Sequence, residues 1–169
     1  MKEFVILHGG PAVEVPDMLA ARDGRARAQQ VLLARYQKPL LFFTLNIPGP
    51  VKTSPLIHLG FREGIRRLEA AFQEAGIPVL YEKVIEAKTG YEKYYVLDGE
   101  PAAIKTLACQ IENQDRLGRL FDMDVLDRDG RKLERQELGL PGRLCLVCSQ
   151  PAQACARSRK HSVSTLQRN

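Results

Sequence analysis

From Leu120 to Leu126 the chain alternates without a break: Phe121, Met123 and Val125 fall on one parity, Leu120, Asp122, Asp124 and Leu126 on the other. A two-residue period is that of a strand. The stretch therefore predicts a strand that buries Phe121, Met123 and Val125 and turns both aspartates the opposite way. "KPLLFFTLNI" (38–47) is a continuous apolar run and predicts a buried strand. "IPVLYEKVIEA" (77–87) and "EKYYVLDG" (92–99) predict two more, joined by a turn near Thr89-Gly90. Helical spacing governs three other segments. "PLIHLGFREGIRRLEAAFQEAG" (55–76) carries Leu56, Leu59, Ile65, Leu68, Ala71 and Phe72 as a stripe, with Ser54 as N-cap and Gly76 as stop. "EPAAIKTLACQIENQ" (100–114) predicts a second amphipathic helix, with Pro101 near its start. "EVPDMLAARDGRARAQQVLLARYQ" (14–37) predicts a third, with Leu19, Ala26, Val31 and Leu32 at rough helical spacing and Gly24 weakening its middle. "DRDG" (127–130) is a tight turn into "RKLERQ", and Asp127 and Asp129 are its turn residues.

The order is a helix, then β-α-β-β-α-β, then a hairpin return and a cysteine-rich tail. Strands interleaved with helices around a central antiparallel pair predict an α+β domain, a two-layer α/β sandwich. Its sheet is either nucleotidyltransferase-like or ferredoxin-like, and the order fits both. The 169 residues suggest one domain. Residues 15–137 form its body, 1–14 an amino-terminal segment ahead of it, and 138–169 a basic tail.

Charge sharpens this picture. The formal net charge is +5. From Leu138 onward there is no Asp or Glu, while Arg143, Arg157, Arg159, Lys160 and Arg168 are basic, so those five carry the whole excess. A basic surface beside a neutral body suits a phosphate-bearing partner, whether nucleic acid, a phosphorylated cofactor or an acidic protein; a merely solvated tail fits as well. No apolar run is long enough to cross a bilayer, and "MKEFVILHGG" is too short for a signal sequence, which predicts a cytoplasmic protein.

Three features carry candidate chemistry. Asp122 and Asp124, two apart on a strand, share a face. Two carboxylates that close repel unless a cation joins them, and Mg²⁺ does so while keeping sites for substrate phosphates. A solvated edge strand would present the same pair. Gly118-Arg119 adds a close-approach residue and a cation just upstream. The second feature is the loop "NIPGPVKTSPL", where Lys52 precedes a helix capped by Ser54, and helix N-termini attract phosphate. Asn46 either points into a site there or closes the turn. The third is C-x2-C-x6-C-x5-H, formed by Cys145, Cys148, Cys155 and His161. A Cys₃His set matches structural zinc, although ordinary fingers separate their halves by more residues. Buried, apolar cysteines are the alternative. Cys109 reads as core, and His8 and His58 have no companions.

"ARAQQVLLARYQKPLLFFTLNIPGPVKTSPLI", "LGRLFDMDVLDRDGRKLERQELGLPGRLCLVC" and "CARSRKH" together resemble the apo-citrate lyase phosphoribosyl-dephospho-CoA transferase family, the citrate lyase holo-acyl-carrier-protein synthases. The likeness runs from about Leu19 to about Ser164 with all three blocks in order, and the first dozen residues fall outside it. The resemblance implies transfer of a phosphoribosyl-dephospho-CoA group from triphosphoribosyl-dephospho-CoA to a serine of the acyl-carrier (gamma) subunit of citrate lyase, with release of diphosphate. It implies catalytic roles for Asp122, Asp124 and Arg119, with Mg²⁺ on the two aspartates. Substrate contacts would come from Asn46, Lys52, Ser54, Arg143, Arg157 and Arg159. His161 stays open between zinc ligand, phosphate contact and base. The same transfer onto a malonate decarboxylase carrier is the nearest competing activity. A zinc knuckle binding nucleic acid is the competitor from another class, weakened because no Phe, Tyr or Trp follows Phe121 to stack on bases.

Overall fold

The computed structural model describes residues 9–168, so His8 and most of the amino-terminal segment lie outside the described residues. Contacts divide the chain into two compact units, one ending at Leu133 and the other beginning at Glu134.

The first unit runs α1 (Val15–Tyr36), β1 (Leu40–Leu45), α2 (Pro55–Ala75), β2 (Val79–Ala87), β3 (Gly90–Leu97), α3 (Pro101–Asn113) and β4 (Phe121–Leu126). The strands form one sheet in the order β2-β3-β1-β4, with every neighbouring pair antiparallel. The class is α+β, and the chain order is the expected β-α-β-β-α-β after a leading helix.

Burial on both faces explains the apolar runs. On one face Leu41, Phe43, Tyr95, Leu97, Phe121, Met123 and Val125 pack against Phe61, Leu68 and Phe72 of α2 and Ile104, Ala108 and Ile111 of α3. On the other, Leu40, Phe42, Tyr94, Val96 and Leu126 pack with Leu32 of α1, flanked by Ala28, Leu33 and Tyr36. A strand covered on both sides has no polar parity, which is why "LLFF" and "YYVL" are continuous. Helices thus lie on both faces, one layer more than the expected two-layer sandwich.

Two helical stripes differ from the sequence reading. In α2 the buried line is Ile57, Phe61, Gly64, Leu68 and Phe72, while Leu56 and Leu59 are 48% and 62% exposed. Gly64 causes the shift: it lets the helix lie directly on the ring of Phe43, where a Cβ would collide. A stripe drawn through large apolar residues passes it by. In α1, Leu19 and Val31 are exposed and Leu32 alone is fully buried, so the helix rests on the sheet by its carboxyl-terminal turns. The caps fall where expected, with Ser54 Oγ accepting from Ile57 N at 3.1 Å and Gly76 left-handed at φ 67°.

β4 is an edge strand whose outer backbone is occupied. Met123 N donates to Glu112 Oε2 at 3.0 Å, Met123 O accepts from Lys105 Nζ at 3.2 Å, and Val125 O accepts from Leu133 N at 2.9 Å. Two buried charged side chains of α3 thereby take the place of a fifth strand. Asp127 closes the following turn by accepting from the amides of Asp129 and Arg131.

The second unit holds a 3₁₀ turn (Arg135–Leu138), a bridge between Leu144 and Pro151, and two short helices, α4 (Ala152–Ser158) and α5 (Val163–Arg168). Its buried side chains, among the described residues, are Arg135, Cys145 and Cys155. No described helix is long and apolar enough to cross a membrane.

The two helical glycines have opposite expected effects. Gly24 has open space where a Cβ would go, so Gly24→Ala should stabilise by roughly 0.5–1 kcal/mol through helix propensity. Gly64→Ala gains the same propensity but drives a methyl into Phe43, and overpacking of about 1–3 kcal/mol wins. Urea midpoints should move up for the first and down for the second.

Candidate active site and candidate metal centre

The face of the sheet under α1 changes character along the strands. Register places Val96, Leu40 and Leu126 in one row, Tyr94, Phe42 and Asp124 in the next, and Glu92, Thr44 and Asp122 in the third. Directly paired residues of antiparallel strands project to the same side, so each row shares a face. The first row is apolar and covered by α1. The third opens into a cavity of about 190 Å³, walled by Met18, Ala21 and Arg25 of α1 and by Asn46, Ile47 and Lys52 of the loop after β1.

This cavity gathers three of the expected site residues: Asp122, Asn46 and Lys52. Asp122 is half-buried because Phe121 and Met123 on either side are wholly buried on the opposite face. Asn46 has an exposed side chain, and its backbone N–H donates to Leu120 O at 2.7 Å, tying the loop to the start of β4. Lys52 bends back so that Nζ donates to Ile47 O, and burial holds its ammonium below the usual lysine range.

The other expected residues stand outside the cavity lining. Asp124, one row along, pairs with Lys132 Nζ at 2.8 Å. Arg119 lies in the short 3₁₀ turn Gly118–Leu120 leading into β4. Gly118 is a close-approach residue as expected, since a Cβ there would meet the Ile111 carbonyl. Ser54 is buried, with its oxygen committed to the helix cap. His58 sits beside Glu86 Oε1 at 3.1 Å and against the Tyr91 ring.

Arg25, Thr44 and Glu92 are among the cavity residues that the sequence did not mark. Arg25 holds its guanidinium over the Phe42 ring at 5.8 Å, which orients a cation above the middle row. Glu92 is 8% exposed, and its Oε2 is buried without a hydrogen-bond partner. Burial pushes the Glu92 carboxyl above the usual carboxylate range, with the charge of Arg25 working against it. The cavity therefore combines two carboxylates with two cations, Arg25 and Lys52. That set suits a polyanion with a counter-ion better than an apolar ligand.

In the second unit, Cys145, Cys148, Cys155 and His161 place their ligand atoms within 4.8 Å of one another. The local chain builds this. Cys145 N donates to Gln150 O at 2.7 Å and closes the loop holding the first two cysteines, while Val147 N points at Cys145 Sγ from 3.4 Å. Cys155 comes from α4. The left-handed Arg159 (φ 48°) ends that helix and returns His161, whose Nε2 lies 3.2 Å from Cys148 Sγ. Cys148 and Cys155 sulfurs are 3.4 Å apart. Tetrahedral ligands with metal–sulfur bonds of about 2.3 Å sit about 3.8 Å from each other, and four groups all within 4.8 Å of one another are close enough to share one ion. Burial pushes the thiols of both Cys145 and Cys155 up. At Cys145 it is outweighed by the amides of Val147 and Cys148, leaving that thiol below its ordinary value; at Cys155 the neighbouring sulfurs add to it. The cluster can hold a metal ion. Arg157 and Arg159 are exposed on α4 and its cap, and Arg143 is half-buried ahead of Cys145.

Residues 13–169 match the family model described as apo-citrate lyase phosphoribosyl-dephospho-CoA transferase. A protein of that name from Citrobacter koseri is 37% identical over 155 residues, covering 92% of this chain and 85% of the relative. A Vibrio cholerae protein named as a probable member is 36% identical over 160 residues, covering 94% and 90%. An Escherichia coli O139:H28 relative of the same name is 34% identical over 155 residues. The match includes β4 with its two aspartates, the loop after β1 and the whole Cys₃His cluster. The chain belongs to the apo-citrate lyase phosphoribosyl-dephospho-CoA transferase family.

Proposed function

We propose that this protein transfers the phosphoribosyl-dephospho-CoA group from triphosphoribosyl-dephospho-CoA to a serine of the apo acyl-carrier subunit of citrate lyase, releasing diphosphate. Family membership over residues 13–169 is the observation that carries the reading. The cavity that joins Asp122 to Arg25 and Lys52 supports it chemically. In the reaction the serine Oγ forms a bond to phosphorus, the bond from that phosphorus to the diphosphate breaks, and the serine proton passes to a carboxylate. Little covalent help is needed; positioning and neutralisation of phosphate charge do most of the work.

Each residue has a corresponding task. Lys52 and Arg25 hold the phosphate chain, and Asn46 lines its entrance. Asp122 faces the reacting phosphorus and accepts the serine proton. Asp124, released from Lys132, adds a second carboxylate on the same face, and Arg119 steadies the phosphates from the turn before β4. Ser54 supplies a capped helix N-terminus at the end of the Lys52 loop. Arg143, Arg157 and Arg159 contact the dephospho-CoA phosphates or the carrier. An all-oxygen donor set suits Mg²⁺, which when bound would neutralise the phosphates and the leaving diphosphate. The sheet, with its order β2-β3-β1-β4, supports the ferredoxin-like reading over the nucleotidyltransferase-like one. The location that goes with this function is the cytoplasm.

The Cys₃His cluster we assign to structural Zn²⁺. A unit of 36 residues whose buried side chains, among the described residues, are one arginine and two cysteines has too little apolar core to hold itself. Metal bonds supply what the core lacks.

Three outcomes test these assignments. With triphosphoribosyl-dephospho-CoA, Mg²⁺ and the apo carrier, the carrier should gain the mass of the transferred group; an unshifted mass, or a shift with the malonate decarboxylase carrier alone, sinks the reading. Asp122→Asn should lower the transfer rate by roughly 10²-fold or more at unchanged melting temperature. Elemental analysis should find one zinc per chain, and Cys148→Ser should lose it and raise hydrogen exchange across residues 134–168. Full occupancy in that variant would remove Cys148 from the ligand set.

A further inference from the structure

We propose that Glu92 is a further metal-holding residue of the cavity: together with Asp122, across Thr44, it makes an oxygen-donor site for a divalent cation of the Mg²⁺ class. The inference rests on the proposed function only for what the cation is used for. Its geometry stands on the sheet register and on the burial of Glu92.

Glu92 and Asp122 both pair with Thr44, from opposite sides, so the two carboxylates flank one short side chain on one face. Neighbouring strands are about 4.8 Å apart, so the two backbones are separated by two strand spacings. Carboxylates reaching inward over a threonine from that separation leave a gap of the size an ion and its waters fill. The carboxylate of Glu92 is the stronger indication. It is more than nine-tenths buried, it lines the cavity, and its Oε2 has no hydrogen-bond partner. The hydroxyl of Tyr94, two residues along on the same face, is also buried and unpartnered. Buried acceptors are rarely left unpaired, and a carboxylate so placed is costly unless a positive group meets it.

Arg25 does not satisfy that need by contact. Its guanidinium is held over Phe42, and it acts on Glu92 through charge without a hydrogen bond to Oε2. Lys52 is turned toward the Ile47 carbonyl. A cation between Glu92 and Asp122 satisfies the buried Glu92 oxygen and leaves Arg25 and Lys52 for phosphate oxygens. Asp124, with Lys132 beside it, then lies one row farther from the ion than Glu92 does. The donor set is hard oxygen, which selects Mg²⁺ or Mn²⁺ over the softer ions that thiolates prefer.

The test is Mn²⁺ titration of the zinc-replete intact chain, followed by electron paramagnetic resonance with the metal alone. The wild type should bind one Mn²⁺, and Glu92→Gln should weaken that binding by about tenfold or more. Its melting temperature should be unchanged or higher, because the neutral isostere removes an unpaired buried charge. The Mg²⁺ concentration giving half-maximal transfer should rise in parallel. Unchanged Mn²⁺ affinity in Glu92→Gln, or no Mn²⁺ bound by the wild type, overturns the proposal. A large drop in melting temperature for Glu92→Gln also overturns it, marking the residue as a structural counter-charge to Arg25. If Mn²⁺ binds through Glu92 and no carrier is modified, the function falls and the site stands.

Discussion

The fixed parity of β4 is the constraint on which the site depends. Phe121, Met123 and Val125 are wholly buried against α2 and α3, each worth roughly 1.5–3 kcal/mol. A slip of one residue would put Asp122 and Asp124 into that core, at several kcal/mol for each unpaired charge. The strand is also locked along its outer edge, where Glu112 and Lys105 bond both backbone groups of Met123. Packing on one face and these two edge bonds act on the same residue. Asp122 is therefore presented to the cavity by the packing and edge bonds of its neighbours, and the position of the proposed catalytic carboxylate becomes a property of the core.

α1 turns that presentation into a site. It covers the apolar row of the opposite face with Leu32 and its neighbours, yet carries exposed Leu19 and Val31 and only this narrow apolar footing. Such a helix contributes little to stability compared with α2. Its amino-terminal half, with Met18, Ala21 and Arg25, walls the cavity instead. The gradient from apolar to polar rows under one helix is what allows charged groups to sit in a cavity at the end of an otherwise dry sheet.

Much of this was legible in the chain. The alternation of 120–126 placed Asp122 correctly because a period of two has only one buried parity. The Ser54 cap and Gly76 stop were legible because each depends on local backbone groups. Asn46 and Lys52 were marked by their loop, and the register brings them beside Asp122. Glu92 and Arg25 were not legible, since nothing local distinguishes them. Glu92 opens "EKYYVL" as an ordinary polar residue at a strand end, and only pairing with Thr44 places it opposite Asp122. One signal was available: a strand buried on both faces has no solvent side, so an acid inside it needs a partner. The α2 stripe was misdrawn because hydrophobicity ranks glycine low, while contact with Phe43 required the smallest residue. The third layer was missed because α1 has too few buried apolar residues to announce itself.

The cysteine-rich tail obeys different physics. In the first unit, position follows from apolar packing, and charged residues are placed as a consequence. In the second, Cys145 and Cys155 are the buried apolar side chains themselves, so the candidate ligands and the core are the same atoms. Sulfurs 3.4 Å apart gain little from dispersion, and their ionised forms repel. Hydrogen bonds of Cys148 with Cys155 and with His161 already draw these groups together, and the proposed zinc would close them into one tetrahedral shell. The basic residues Arg157 and Arg159 share α4 and its cap with Cys155, so their positions follow from the cluster, just as Asp122 takes its own from Met123.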